Sequence, residues 1–183
     1  MRHLSKLGYS SLWLELGLLS ESELERQLAE FKISDDKNTE HYRYATFRKY
    51  LSTREIFTEQ ELENYLKVAF SEQDELMAGS AIVDILRNID LMDSQFEMVC
   101  RAIEDFGVGS ATQHFIVQQK LLRKLKSGNL TDELFDECLH CGDSVVQEYL
   151  MSFPNKDNLQ KLVDFGITKT IKNMAKQKLE KIK

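Results

Sequence analysis

Leu19-Ser20-Glu21-Ser22-Glu23-Leu24 and Phe57-Thr58-Glu59-Gln60-Glu61-Leu62 carry the same helix-start signal. Each sets an apolar residue, a hydroxyl, a glutamate three positions after the hydroxyl, and a second apolar residue directly after that. The hydroxyl accepts from an amide of the first helical turn, the glutamate reaches back to the hydroxyl residue's own amide, and the two apolar side chains clasp over the turn. The signal returns in reduced form at Leu130-Thr131-Asp132-Glu133-Leu134-Phe135, which keeps the cap and the Leu130/Phe135 pair, and at Met92-Asp93, which keeps the apolar residue and a cap. Caps at Ser20, Thr58, Asp93 and Thr131 stand 38, 35 and 38 residues apart, room for two helices and two short connections. A fifth, shorter unit is expected to open at Asp157 or Asn158.

Each start leads into a first helix with helical apolar spacing; Phe96, Val99, Cys100 and Ile103 fall at i, i+3, i+4 and i+7. Second helices are expected over about 39–52, 73–88, 110–127, 143–152 and 167–182. Breaks fall at Ser34-Asp35-Asp36, Ser71, Gly107-Val108-Gly109, Gly142 and Gly166. A helix near 10–17, with Leu12, Trp13 and Leu16, reads as a cap on the series. The composition agrees: 42% hydrophobic and 30% charged with one proline suits helices better than short, turn-rich strands. The 183 residues suffice for one domain that hides about 70% of its unfolded surface without metal or disulfide. The expected class is all-α, in units of about 19–53, 54–91, 92–129, 130–155 and 156–183.

In periodicity and helix pairing, from about residue 19 to 183, the chain resembles the HEAT-like and armadillo-like α-solenoid families. The proline and Asp/Arg landmarks of a regular HEAT repeat are missing and the units vary in length, so an irregular helical bundle is the alternative. The resemblance implies a right-handed stack of about five antiparallel helical hairpins behind an N-terminal capping helix, with second helices lining a concave face.

Charge sorts by helix. The expected first helices total -12 and the second helices +7 within a net charge of -6. Acids in first turns and lysines in last turns oppose the helix dipole, which accounts for part of this. Lys120, Arg123, Lys124 and Lys126, and the lysines from Lys169 to Lys183, exceed what capping needs. Of these, Lys120, Arg123, Lys124, Lys172 and Lys176 are the candidate phosphate-binding residues of a basic groove. From Ser127 to Asn155 there is no Lys or Arg but six acids, among them Glu133, Asp136, Glu137 and Glu148. These four, with Tyr42 and Arg43 read as exposed on the 39–52 helix, are the candidate partner-binding residues. Tyr44, Phe47 and Leu51 read as the core face of that helix, and Ile167, Ile171, Met174 and Ile182 as the docked stripe of the last one.

No constellation fixes a reaction. Cys138-Leu139-His140-Cys141 lacks a second Cys/His pair at zinc spacing, and buried packing is the expectation for both thiols. Glu137 and His140 have the Glu-x-x-His spacing of di-iron bundles without a second copy. Gly107-Val108-Gly109-Ser110 has neither a following Lys-Ser/Thr nor a preceding strand, so it reads as a turn. No metal, cofactor or catalytic residue is expected. Three cysteines, no secretory segment and no run of about 18 apolar residues point to a cytoplasmic protein without a membrane span.

The expected function is non-catalytic binding of another macromolecule, most simply a protein. In size, acidity and cytoplasmic character the chain resembles bacterial immunity or inhibitor proteins, which implies a basic partner such as a toxin nuclease domain. The alternative is a nucleic-acid binder using a basic concave groove; against it stand a pI near 5.3 and a net charge of -10 over 55–119.

Overall fold

The helix starts sit close to where the capping signals place them. The computed structural model describes residues 3–182. Among these it has eleven α-helices and no strand: α1 Leu12–Glu15, α2 Glu21–Ile33, α3 Thr39–Ser52, α4 Glu59–Phe70, α5 Glu75–Asn88, α6 Asp93–Phe106, α7 Ser110–Lys126, α8 Asp132–Cys141, α9 Ser144–Leu150, α10 Lys156–Phe165 and α11 Lys169–Lys181. Thr58 closes a full reciprocal cap, its hydroxyl accepting from the Glu61 amide at 3.2 Å while its own amide donates to Glu61 Oε2 at 2.9 Å. Ser20 accepts from the Glu23 amide at 3.2 Å, but the carboxylate does not return, because Arg26 and Lys49 hold it. Two caps move. Met92, not Asp93, precedes α6, its amide donating to Gln95 Oε1 at 3.0 Å, and Asn155 caps α10 ahead of the expected start.

The Glu23 cluster gives a pH dependence with a definite sign. Hydrogen bonding from Arg26, against the opposing effect of burial, holds the Glu23 carboxyl at about 2, below its ordinary 4.5. A carboxyl depressed in the folded state stabilises above its unfolded pKa, and that stability is lost as pH falls through the folded value. Acid unfolding between about pH 4.5 and 2 should therefore have a shallower pH slope in Glu23→Gln than in the parent.

The chain forms two compact units, one reaching Gln113 and one starting at His114, where the sequence reading has one continuous domain. The division falls inside α7, a 17-residue helix. In the first unit α4 packs on α5 and α6, and α3 on α5 and on a 3₁₀ turn, Leu4–Leu7. The core is aromatic: Phe47 lies 4.4 Å from Trp13 and 5.3 Å from Tyr65 between ring centroids, and all three are fully buried. The helix expected near 10–17 is present as a single turn, Leu12–Glu15, followed by Gly17 at φ 75, and its Trp13 lies in this core.

In the second unit α10 and α11 pair closely, α8 touches α9 and α10, and α9 touches α11. Leu121, Leu125, Phe135, Val146, Leu150 and Leu162 make its core. The stripe of the last helix differs from expectation. Ile171 and Ala175 are buried and Met174 half-buried, while Ile167 and Ile182 lie outside the helix and are exposed. Helical spacing extended the stripe past both ends, where no helix holds the phase.

Two buried glutamines organise this unit. Gln118 on α7 donates to the Cys141 carbonyl at 3.0 Å and accepts from the Asp143 amide at 2.7 Å. Gln147 on α9 donates to the Leu139 carbonyl at 2.6 Å and accepts from the Ile167 amide at 2.8 Å. In both cases the accepted amide directly follows a glycine, Gly142 or Gly166, that ends a helix. A Cβ on Gly166 would stand 2.6 Å from the Leu162 carbonyl oxygen, and one on Gly142 would meet that of Cys138, so these corners exclude larger residues. Each glutamine satisfies one carbonyl and one amide of a tight corner. Removing it orphans both, at about 1–3 kcal/mol for each buried group. Gln147→Leu should lower stability by about 2–3 kcal/mol in urea unfolding, with Gln160→Leu, an exposed position, as the neutral control.

Candidate functional site

A lysine or arginine at the last position of a helix interacts well with the carbonyl end of the dipole, so polar residues are expected there. Five alternate helices, α2, α4, α6, α8 and α10, depart from this. They end in Ile33, Phe70, Phe106, Cys141 and Phe165, all apolar. Ile33 is 87% exposed, Phe106 69% and Phe165 68%; Cys141 is exposed and Phe70 half-buried. Leu76, Val145 and Ile167, in or beside the following corner, are also exposed. Core packing does not explain Ile33, Phe106 and Phe165, which face water.

In the first unit two of these ends meet. Because α4 and α6 lie side by side, the Phe70 and Phe106 rings stack with centroids 4.9 Å apart and planes 20° apart. They line a cleft of about 420 Å³ with Ala78, Glu72, Glu75 and Val108. A second cleft of about 420 Å³ adjoins it through the shared residues Glu72 and Gln73, bordered by Tyr9, Ser10, Thr39 and Arg43. Between them lies a buried ion pair: Arg43 Nε donates to Glu72 Oε2 at 3.0 Å, and Trp13 Nε1 donates to Glu72 Oε1 at 3.1 Å. Arg43 Nη1 also donates to the Leu7 carbonyl and to Thr39 Oγ1. Burial, outweighing the guanidinium, holds the Glu72 carboxyl above its usual range.

This corrects the sequence reading of Arg43, which is 8% exposed and belongs to the interior. Arg43 stands four residues before Phe47 and shares the buried face of α3 with Thr46, Tyr50 and Leu51, where the Leu4–Leu7 turn packs on it; its charge, not its helical phase, made it read as exposed. Tyr42 is half-buried, its ring edge-on to Phe31 at 5.6 Å. Tyr44 is half-buried and donates to Asp84 Oδ2 at 2.7 Å, while Phe47 and Leu51 are core as expected.

The acidic set of the second unit is interleaved with cations. Asp136 pairs with Lys161 at 2.7 Å and Glu137 with Lys124 at 3.0 Å, so charge is not fully sorted to separate sides. Glu133 lies exposed in the first turn of α8, its carboxyl held below the usual range by hydrogen bonds from its own amide and from Thr131; Glu148 is exposed. Of the candidate phosphate ligands, Lys124 is thus occupied, Lys172 Nζ donates to the Asp164 carbonyl at 2.7 Å, Lys120 and Lys176 are exposed and Arg123 is half-buried. The two cysteines differ: Cys138 is buried, which pushes its thiol up to about 11, whereas Cys141 is exposed, against expectation. Among the described residues no group of three or more His, Cys, Asp or Glu is placed to hold a metal ion, and no helix is long and apolar enough to cross a membrane.

Sequence reasoning passed over Phe70, Phe106 and Phe165. The signal was present, an aromatic residue directly before each helix break at Ser71, Gly107 and Gly166, but apolar residues within a helix were credited to the core. Comparison of the chain with protein-family models, curated proteins and solved structures found no match.

Proposed function

We propose that this protein is a non-catalytic binding module, a series of stacked helical hairpins of HEAT-like type that holds another protein at the corners of its hairpins. The carrying observation is that α2, α6 and α10 each end in a large, exposed apolar residue, Ile33, Phe106 and Phe165. Exposed apolar side chains cost solubility and add nothing to the core; recurring at one structural position, they mark an interaction surface. The acids of α8 and α9 are then a secondary, steering feature: Asp136 and Glu137 are ion-paired, and the exposed Glu133 and Glu148 face a basic partner.

The test is capture of partners from extract of the source cell by the tagged full chain and by a Phe106→Ser/Phe165→Ser variant. Both positions are exposed, so the variant should fold, with thermal unfolding as the check. Partners retained by the parent and lost by the variant support the reading; an unchanged set of partners contradicts it. Recovery of nucleic acid instead, released steeply by added salt, would favour the lysines of α11 and the alternative function.

A further inference from the structure

Resting on that reading, we infer that the cleft under Phe70 and Phe106 seats a segment of the partner in which an aromatic or aliphatic side chain stands beside a lysine or arginine. The floor is apolar: two stacked rings and Ala78, in a cleft of about 420 Å³, a volume suited to one or two large side chains. The wall is acidic. Asp74 is committed to capping α5, accepting from the Leu76 and Met77 amides, and Glu72 to Arg43. Glu75 is exposed and makes no ion pair among the described residues, which leaves its carboxylate for a cation from outside.

The wider field has the same sign. Residues 70–109 carry nine acids against Arg87 and Arg101. An acidic segment would be repelled, and a second copy docking by the same corner would bring like charge to like. Apolar burial supplies the anchor, and the cation supplies orientation and rate of encounter.

Three synthetic twelve-residue peptides test this against the ¹⁵N-labelled full chain: one with a leucine and a tryptophan flanked by arginines, one with every arginine replaced by glutamate, and one with both anchors replaced by serine. The first should shift the amides of 70–78 and 104–109 saturably and weaken several-fold between about 50 and 500 mM salt, while the other two leave the spectrum unchanged. Phe106→Ser should weaken binding at least about tenfold, and Glu75→Lys should weaken it and remove most of the salt dependence. Equal binding of the glutamate peptide, shifts mapping away from these residues, or silence from all three peptides would overturn the assignment. If the peptides are silent while Phe106→Ser/Phe165→Ser still loses the captured partner, only the partner chemistry is wrong; if capture is also unaltered, the binding reading falls with it.

Discussion

Replacing Arg43 with alanine will lower the stability of the unit ending at Gln113 by about 3–5 kcal/mol. The guanidinium is inside, where it ties α3 to the Leu7 carbonyl and to Glu72. Its loss leaves the Glu72 carboxylate buried with only the Trp13 indole as a partner, and an uncompensated buried charge is the costly case. The variant also acquires a pH signature. Burial raises the Glu72 carboxyl already in the parent, so the folded state binds a proton more readily than the unfolded chain. Stability from such a group is present below its unfolded pKa and declines as pH rises through the folded value. The deficit of Arg43→Ala should therefore shrink on acidification, and adding Glu72→Gln should recover part of it at neutral pH. A deficit under about 1 kcal/mol would mean that the pair is solvated.

Phe47→Ala should be comparably severe, about 3–5 kcal/mol. The ring is fully buried between Trp13 and Tyr65, and Tyr65 is itself fixed by its hydroxyl donating to the Ala81 carbonyl at 3.0 Å. Such an enclosed site can collapse little, so the cavity persists and adds to the lost transfer energy. Trp13 is the chain's one tryptophan and touches both Phe47 and Glu72, so its fluorescence reports this unit directly in both experiments. Circular dichroism, which sums over all helices, should show a separate transition for the unit starting at His114 if the two units unfold independently.

The helices were legible because they are punctuated locally. Ser20, Thr58 and Thr131 are each self-contained start signals, and Ser71, Gly107, Gly142 and Gly166 mark the stops in the sequence itself. What lay beyond the sequence depends on who packs against whom. Arg43 stands four residues before Phe47 and so shares the buried face of α3 by helical phase; its charge made it read as exposed, and only the hydrogen bonds to the Leu7 carbonyl and Glu72 show how a guanidinium is held there. Gln118 and Gln147 look like surface residues until the corners they hold arrive from 25 and 20 positions away. Charge sorting by helix was visible, but Lys124 and Lys161 reach acids of a neighbouring helix, which a count along the chain cannot register. The candidate site lies between these cases: Phe70 and Phe106 could be seen ending helices, whereas their stacking needed α4 beside α6.

The most direct test is amide hydrogen exchange of the full chain alone and bound to its captured protein partner. Binding at hairpin corners predicts added protection concentrated at 70–78 and 104–109, with a second zone around 163–169, and little change along the exposed lengths of α8 and α11. Protection centred on the acids of α8 or the lysines of α11, with the corners unchanged, would contradict it.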